Sequence, residues 1–75
     1  MEIYKNLNGD SGVQAYEIGS DSITVEFKTG SVYLYNYSSA GNNNIEQMKT
    51  LAIAGSGLNT FINKHVRKLY ARKLR

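Results

Sequence analysis

Cysteine is missing from this 75-residue chain, and histidine occurs once. No disulfide can form, and no thiolate is on hand as a nucleophile or zinc ligand; with a single histidine, a zinc site is effectively excluded. Proline is missing too, so connections must be built from Gly, Ser and Asn, most plainly over residues 38–44. No amino-terminal apolar run has secretory length, and nothing approaches the ~20 apolar residues of a membrane span. Acids number only six and are scattered through different segments, which gives paired-carboxylate catalysis no support. These absences lead to the expectation of a soluble cytoplasmic domain, non-catalytic, without metal or cofactor and not attached to a membrane. A chain of this length buries only about 60–65% of the surface its unfolded form exposes, so a small core and marginal stability are expected.

What is present is unevenly distributed. Residues 64–75 hold six of the nine basic side chains and no acid, while the preceding sixty-three carry net −3. An excess of one sign at one end suggests a polyanionic partner.

Periodicity supplies the architecture. Three alternating runs come first: residues 13–18, a Gly19-Ser20-Asp21 turn signal, residues 23–27 with Ile23, Val25 and Phe27 on one face, a break at Lys28-Thr29-Gly30, then residues 32–37. The second turn decides which face the tyrosines occupy. A two-residue loop at Thr29-Gly30 pairs Phe27 with Val32 and turns Val32 and Leu34 inward. A three-residue loop, with Gly30 left-handed in a bulge, pairs Phe27 with Ser31 and brings Tyr33, Tyr35 and Tyr37 onto the face of Ile23 and Val25. Threonine fits positive φ poorly and Gly30 sits at the third position, which favours the bulged loop. The tyrosines then read as core, with Tyr37 the most accessible beside the Gly/Ser/Asn loop; the alternative is an exposed platform that stacks unpaired bases.

The second half changes period. Asn43 and Glu46 have capping-box spacing, and Ile45, Met48, Leu51 and Ala52 follow at helical intervals to about Ala54. Gly55-Ser56-Gly57 interrupts, and Ser56 is placed to cap a second helix running to Leu69 or beyond. At about 100° per residue, Lys64, Arg67, Lys68, Arg72 and Arg75 fall within an arc of roughly 140° opposite Leu58, Ile62, Val66 and Leu69, with Phe61 between Lys68 and Arg72. Such a stripe can neutralise phosphates, or be a solvated face favoured by the helix dipole.

Other motifs are weaker. Gly55-Ser56-Gly57 before a helix can hold an anion, with Ser56, Asn59 and Lys64 beside it, but such a turn is commonly a plain connector. His65 lacks a nucleophile and an orienting acid at diagnostic spacing, so it reads as a helix-surface residue. Asn63 reads as an amide that ties down a neighbouring loop, or as one that reaches a base edge.

The VEFKTGSVYLY stretch of residues 25–35, with its Tyr33-x-Tyr35 pair, and the FINKHVR stretch of residues 61–67 together resemble the KTSC domain. This module of about sixty residues occurs at the carboxyl end of some lysyl-tRNA synthetases and as free-standing small bacterial proteins. Phe61, Ile62, Asn63, Val66 and Arg67 fill the places of the family's second pattern, and the likeness extends over residues 11–70. It departs at SSAGNNN, where such domains carry a Val-Pro or similar signal, and at AGSG, where their Ser-x-Gly is displaced. The resemblance implies an α+β fold, and RNA binding has been suggested for the family.

The expected fold is therefore α+β: a three-stranded antiparallel β-meander with two carboxyl-terminal helices on one face. Its expected core is Val13, Ile18, Ile23, Val25, Phe27, Tyr33, Tyr35, Met48, Leu51, Leu58, Ile62, Val66 and Leu69. Residues 1–10 are expected to be a loosely held lead-in, 11–70 the domain and 71–75 a basic tail. The expected function is binding of RNA or single-stranded nucleic acid by a monomer with low sequence specificity, through Lys64, Arg67, Lys68, Arg72 and Arg75, with Phe61 or Tyr37 as stacking residues. A protein-interaction adaptor, docking through the sheet edge or the tyrosine face, is the competing expectation.

Overall fold

A computed structural model describes residues 1–7, 9 and 11–75. Its elements run β1 (Glu2–Ile3), β2 (Val13–Ile18), β3 (Ser22–Phe27), β4 (Val32–Asn36), α1 (Tyr37–Ala40), α2 (Asn42–Ala54), α3 (Leu58–Phe61), a π-helical segment (Ile62–Val66) and β5 (Arg72–Lys73). The class is α+β with an antiparallel sheet, but the sheet has five strands, in the order β1-β2-β3-β4-β5. The two strands not expected lie at the edges and are two residues long. Neither is long enough to show alternation, so periodicity could not reveal them. Main-chain pairing with the open edges of β2 and β4 creates them. They incorporate chain on both sides of residues 11–70; of the expected lead-in, Asn8 and Asp10 lie outside the described residues.

The turn between β3 and β4 is the three-residue bulged loop. Phe27 N–H donates to Ser31 O at 2.8 Å, Gly30 N–H donates to Phe27 O at 2.9 Å, and Gly30 has φ +97°. Tyr35 consequently faces Ile23 across the strands and Tyr33 faces Val25. Tyr37 does not join them. Asn36 ends the strand and caps α1, its side chain accepting from Ser39 N–H at 2.8 Å while Asn36 N–H donates to Ser39 Oγ at 3.1 Å. The reciprocal box expected at Asn43 and Glu46 is thus formed one element earlier, and α2 starts after Gly41 with no side-chain cap.

In β2 a bulge between Val13 and Ala15 breaks the expected alternation. Val13 then pairs with Phe27 and Tyr16 with Val25, so both point to the helix-covered face. That face, α2, α3 and the π-helical segment enclose Tyr4, Val13, Tyr16, Ile23, Val25, Tyr35, Ala40, Ile45, Met48, Ala52, Leu58, Ile62 and Val66. Phe27, Tyr33, Leu51 and Phe61 pack against this cluster, partly buried. Two expected core residues belong neither to the cluster nor to the residues packed against it. Ile18 is 40% exposed at the end of β2, and Leu69 is 42% exposed because the helix stops before reaching it. Tyr4 takes up core space instead, and its hydroxyl accepts from Leu58 N–H at 3.2 Å, at the start of α3. The helix is therefore served there by Tyr4, with Gly57 at the N-cap position in place of the expected Ser56.

Candidate nucleic-acid interface

The chain after Gly57 does not make one long helix. One α-helical turn passes into the π-helical segment, Leu69 N–H closes a turn onto Val66 O at 2.8 Å, and Ala71 N–H then reaches Leu34 O at 2.7 Å. The outer edge of β4 offers carbonyls and amides that a continuing helix would leave unpaired, and the chain straightens to meet them. Val32 N–H donates to Arg75 O and Leu74 N–H to Val32 O, at 3.0 and 2.7 Å. The expected cationic ridge on a single helix is accordingly overturned. Lys64 lies in the π-helical segment, Arg67 and Lys68 just after it, Arg72 in β5 and Arg75 beyond β5.

Their side chains remain exposed. Arg75 Nη2 is 3.1 Å from Glu26 Oε2, so this cation is already paired. Among the described residues Lys64, Arg67, Lys68 and Arg72 have no ion pair, and Lys73 Nζ stands 5.8 Å from the centroid of the Tyr33 ring. The other two expected contributors are placed less favourably. Phe61 stacks on His65, ring centroids 4.7 Å apart, and is half-buried against the core. Tyr37 is 37% exposed, yet its hydroxyl donates to Glu46 Oε2 at 2.6 Å with Asp21 also nearby. The hydroxyl is thus engaged by a carboxylate, and because the Lys49 ammonium stands 5.8 Å from the ring centroid the surroundings of Tyr37 carry both signs.

The straightened segment creates a site that helical periodicity could not reveal. Tyr70 is carried onto Tyr33, with ring centroids 4.8 Å apart, and stands edge-on to Tyr35 at 6.4 Å and 87°. Phe27 meets Tyr33 edge-on at 5.8 Å. These four rings border a cleft of about 550 Å³ that Ile62, Asn63 and Arg67 also line. Tyr35 and Ile62 are buried and form its deeper part, while Tyr70 is 40% exposed at its margin. Lys28 adds a second cation from the β3–β4 loop. Burial pushes the Tyr35 phenol up to about 12, and the neighbouring Tyr33 and Tyr70 hydroxyls add to the effect. Like any tyrosine hydroxyl, that of Tyr35 is a donor at neutral pH, and the shift only extends that range upward. It donates to no protein acceptor among the described residues.

The Gly55-Ser56-Gly57 anion site finds less support. The first amide of α3 is already bonded to Tyr4, and the 210 Å³ hollow there is lined by Ser56 and Asn59 but not by Lys64. Among the described residues no group of three or more histidine or acidic side chains stands together in a way that could hold a metal. No described helix is long and apolar enough to cross a membrane.

The Tyr37–Glu46 contact yields a direct prediction. The hydrogen bond from Tyr37, and then the Lys49 ammonium 3.0 Å away, hold the Glu46 carboxyl below its ordinary range. A depressed carboxyl pKa contributes stability above the unfolded-state value, and this is lost as pH falls through the folded-state value. Tyr37→Phe is expected to move the Glu46 pKa up towards the ordinary carboxylate range, read by an NMR titration of its side-chain carboxyl carbon. Because both groups are exposed, the midpoint of chemical unfolding at pH 7 should barely change.

No protein-family model, curated protein or solved structure matches this chain.

Proposed function

We propose that this protein is a small non-catalytic module of the cytoplasm that binds RNA or single-stranded nucleic acid as a monomer, through its basic carboxyl-terminal segment. The observation that carries the reading is the group of exposed cations Lys64, Arg67, Lys68 and Arg72, without an ion pair among the described residues, in a stretch that contains no acid. Such a group binds phosphates by releasing counterions, and flexible single strands can adapt to cations spread over a helix end, a turn and a strand. The aromatic cleft beside Arg67 supplies a second feature common to single-strand binders. The sequence likeness to KTSC domains supports the same direction. Arg75, already engaged by Glu26, contributes less than expected from the sequence, and neither Phe61 nor Tyr37 is the preferred stacking residue.

The experiment is a fluorescence-anisotropy titration with a short single-stranded RNA over a range of salt concentrations. Each phosphate contact on a single strand contributes about −0.7 to the slope of log affinity against log salt, so four cations should give a slope of about −3. Reversing Lys64, Arg67 and Lys68 together to Glu should lower affinity at least ten-fold and flatten that slope. Absent binding at low salt, or binding that the triple reversal leaves intact, would overturn the reading. An adaptor docking by strand addition has only two-residue edge strands to build on, which weakens that alternative.

A further inference from the structure

We infer that the cleft between the Tyr33–Tyr70 pair and the end of the π-helical segment receives one unpaired nucleobase, with Asn63 as the residue that discriminates among bases. This rests on the nucleic-acid reading above and reverses the low specificity expected from backbone contacts alone. The cleft is bordered by aromatic rings, contains about 550 Å³ and has the cations Arg67 and Lys28 beside it. A nucleotide has the matching distribution: a flat ring for an aromatic surface, and a phosphate for the cations. Tyr70, the exposed member of the aromatic group, is available to cover the base, while the buried Tyr35 keeps its ring deeper in the cleft.

Asn63 supplies the discriminating chemistry. It is exposed, it lines the cleft, and among the described residues its side chain makes no hydrogen bond. A tether for a neighbouring loop would have engaged the amide, so the loop-tethering role has no bond to rest on. An amide carries a donor and an acceptor side by side and can match a base edge that presents their complements. A second donor, the Tyr35 hydroxyl, belongs to the same cleft.

The test uses the full chain and four fluorescently labelled homo-oligonucleotides of RNA, one for each base, titrated at equal salt. The expected result is one base bound about ten-fold tighter than the weakest. Asn63→Ala should erase that preference while leaving the salt slope unchanged, because no phosphate contact is removed. Tyr70→Leu should weaken all four oligomers by roughly ten-fold, the loss of one stacked base, and Tyr70→Phe should restore binding by keeping the ring. Circular dichroism of each variant verifies that the fold is retained. Equal, salt-dependent binding of all four oligomers that Tyr70→Leu does not change would overturn the cleft assignment and leave the basic segment standing. Lack of binding to any oligomer at low salt would overturn both.

Discussion

Tyr4→Ala is expected to destabilise the domain by about 3–5 kcal/mol, the usual range for truncating a buried aromatic side chain. Tyr4 is 4% exposed and belongs to the main apolar cluster, although it lies in a stretch that carries little regular structure. Total stability for a chain of this size is roughly 4–11 kcal/mol, so the variant should lose a large share of it. Tyr4→Phe separates the two roles of the side chain. It retains the ring but leaves the Leu58 N–H without the hydroxyl it donates to, a loss of about 1–3 kcal/mol for a buried donor. Urea denaturation followed by circular dichroism measures both. A Tyr4→Ala midpoint equal to that of the parent protein would show that this segment is not docked in solution.

Gly55→Ala should be the next most damaging single change, at about 2–4 kcal/mol. Two effects combine there. Gly55 ends α2 in the left-handed region at φ +78°, and a Cβ on it would come within 2.5 Å of Lys5 Cβ. That atom is the root of its side chain and cannot swing aside, so the segment between β1 and β2 must shift. The shift strains the bond from Leu7 N–H to Gly55 O, 2.8 Å in the parent structure. Gly30→Ala is the control. Gly30 has φ +97° but, among the described residues, no neighbour within 4 Å of its would-be Cβ, so it isolates the conformational contribution of about 1–2 kcal/mol. If the two variants unfold at the same denaturant concentration, the Lys5 contact carries no weight.

The central part of the fold was legible wherever a residue type dictated local geometry. Gly30 at the third loop position fixed the β3–β4 register and with it the inward placement of Tyr33 and Tyr35. Gly55 ended α2 where the helical pattern lapsed. The failure at the carboxyl end has a physical cause, because there distant backbone overrode local preference. Residues 67–75 contain Leu69, Tyr70 and basic groups at intervals that suit a helix, yet the unpaired edge of β4 draws the end of this stretch into extended chain. The predicted ridge depended on a constant step per residue, and both the π-helical segment and the strand break that step. For the cleft, Phe27, Tyr33 and Tyr35 were recognisable as a shared face, whereas Tyr70 was not, since its position is set by β5. Asn63 and Arg67 stood out in the sequence, but their common cleft depends on where the helix ends. In β2, the bulge brought in Tyr16 without any glycine to announce it.

The route of the chain through its sheet also bears on the order of assembly. β1 to β4 join successive neighbours, but β5 returns to β4 only after residues 37–71 have been threaded through the helices. Closing so long a loop is opposed by about 2 kcal/mol more entropy than closing the β3–β4 hairpin. The last strand therefore has reason to zip up late and to peel away first, and Tyr70 travels with it. Amide protons of Ala71 and Leu74 should exchange with deuterium well before those of Ile23 and Val25, in a rhythm shared by the whole aromatic margin. The half-life of the recess as an intact compartment is thus governed by the least anchored piece of the molecule.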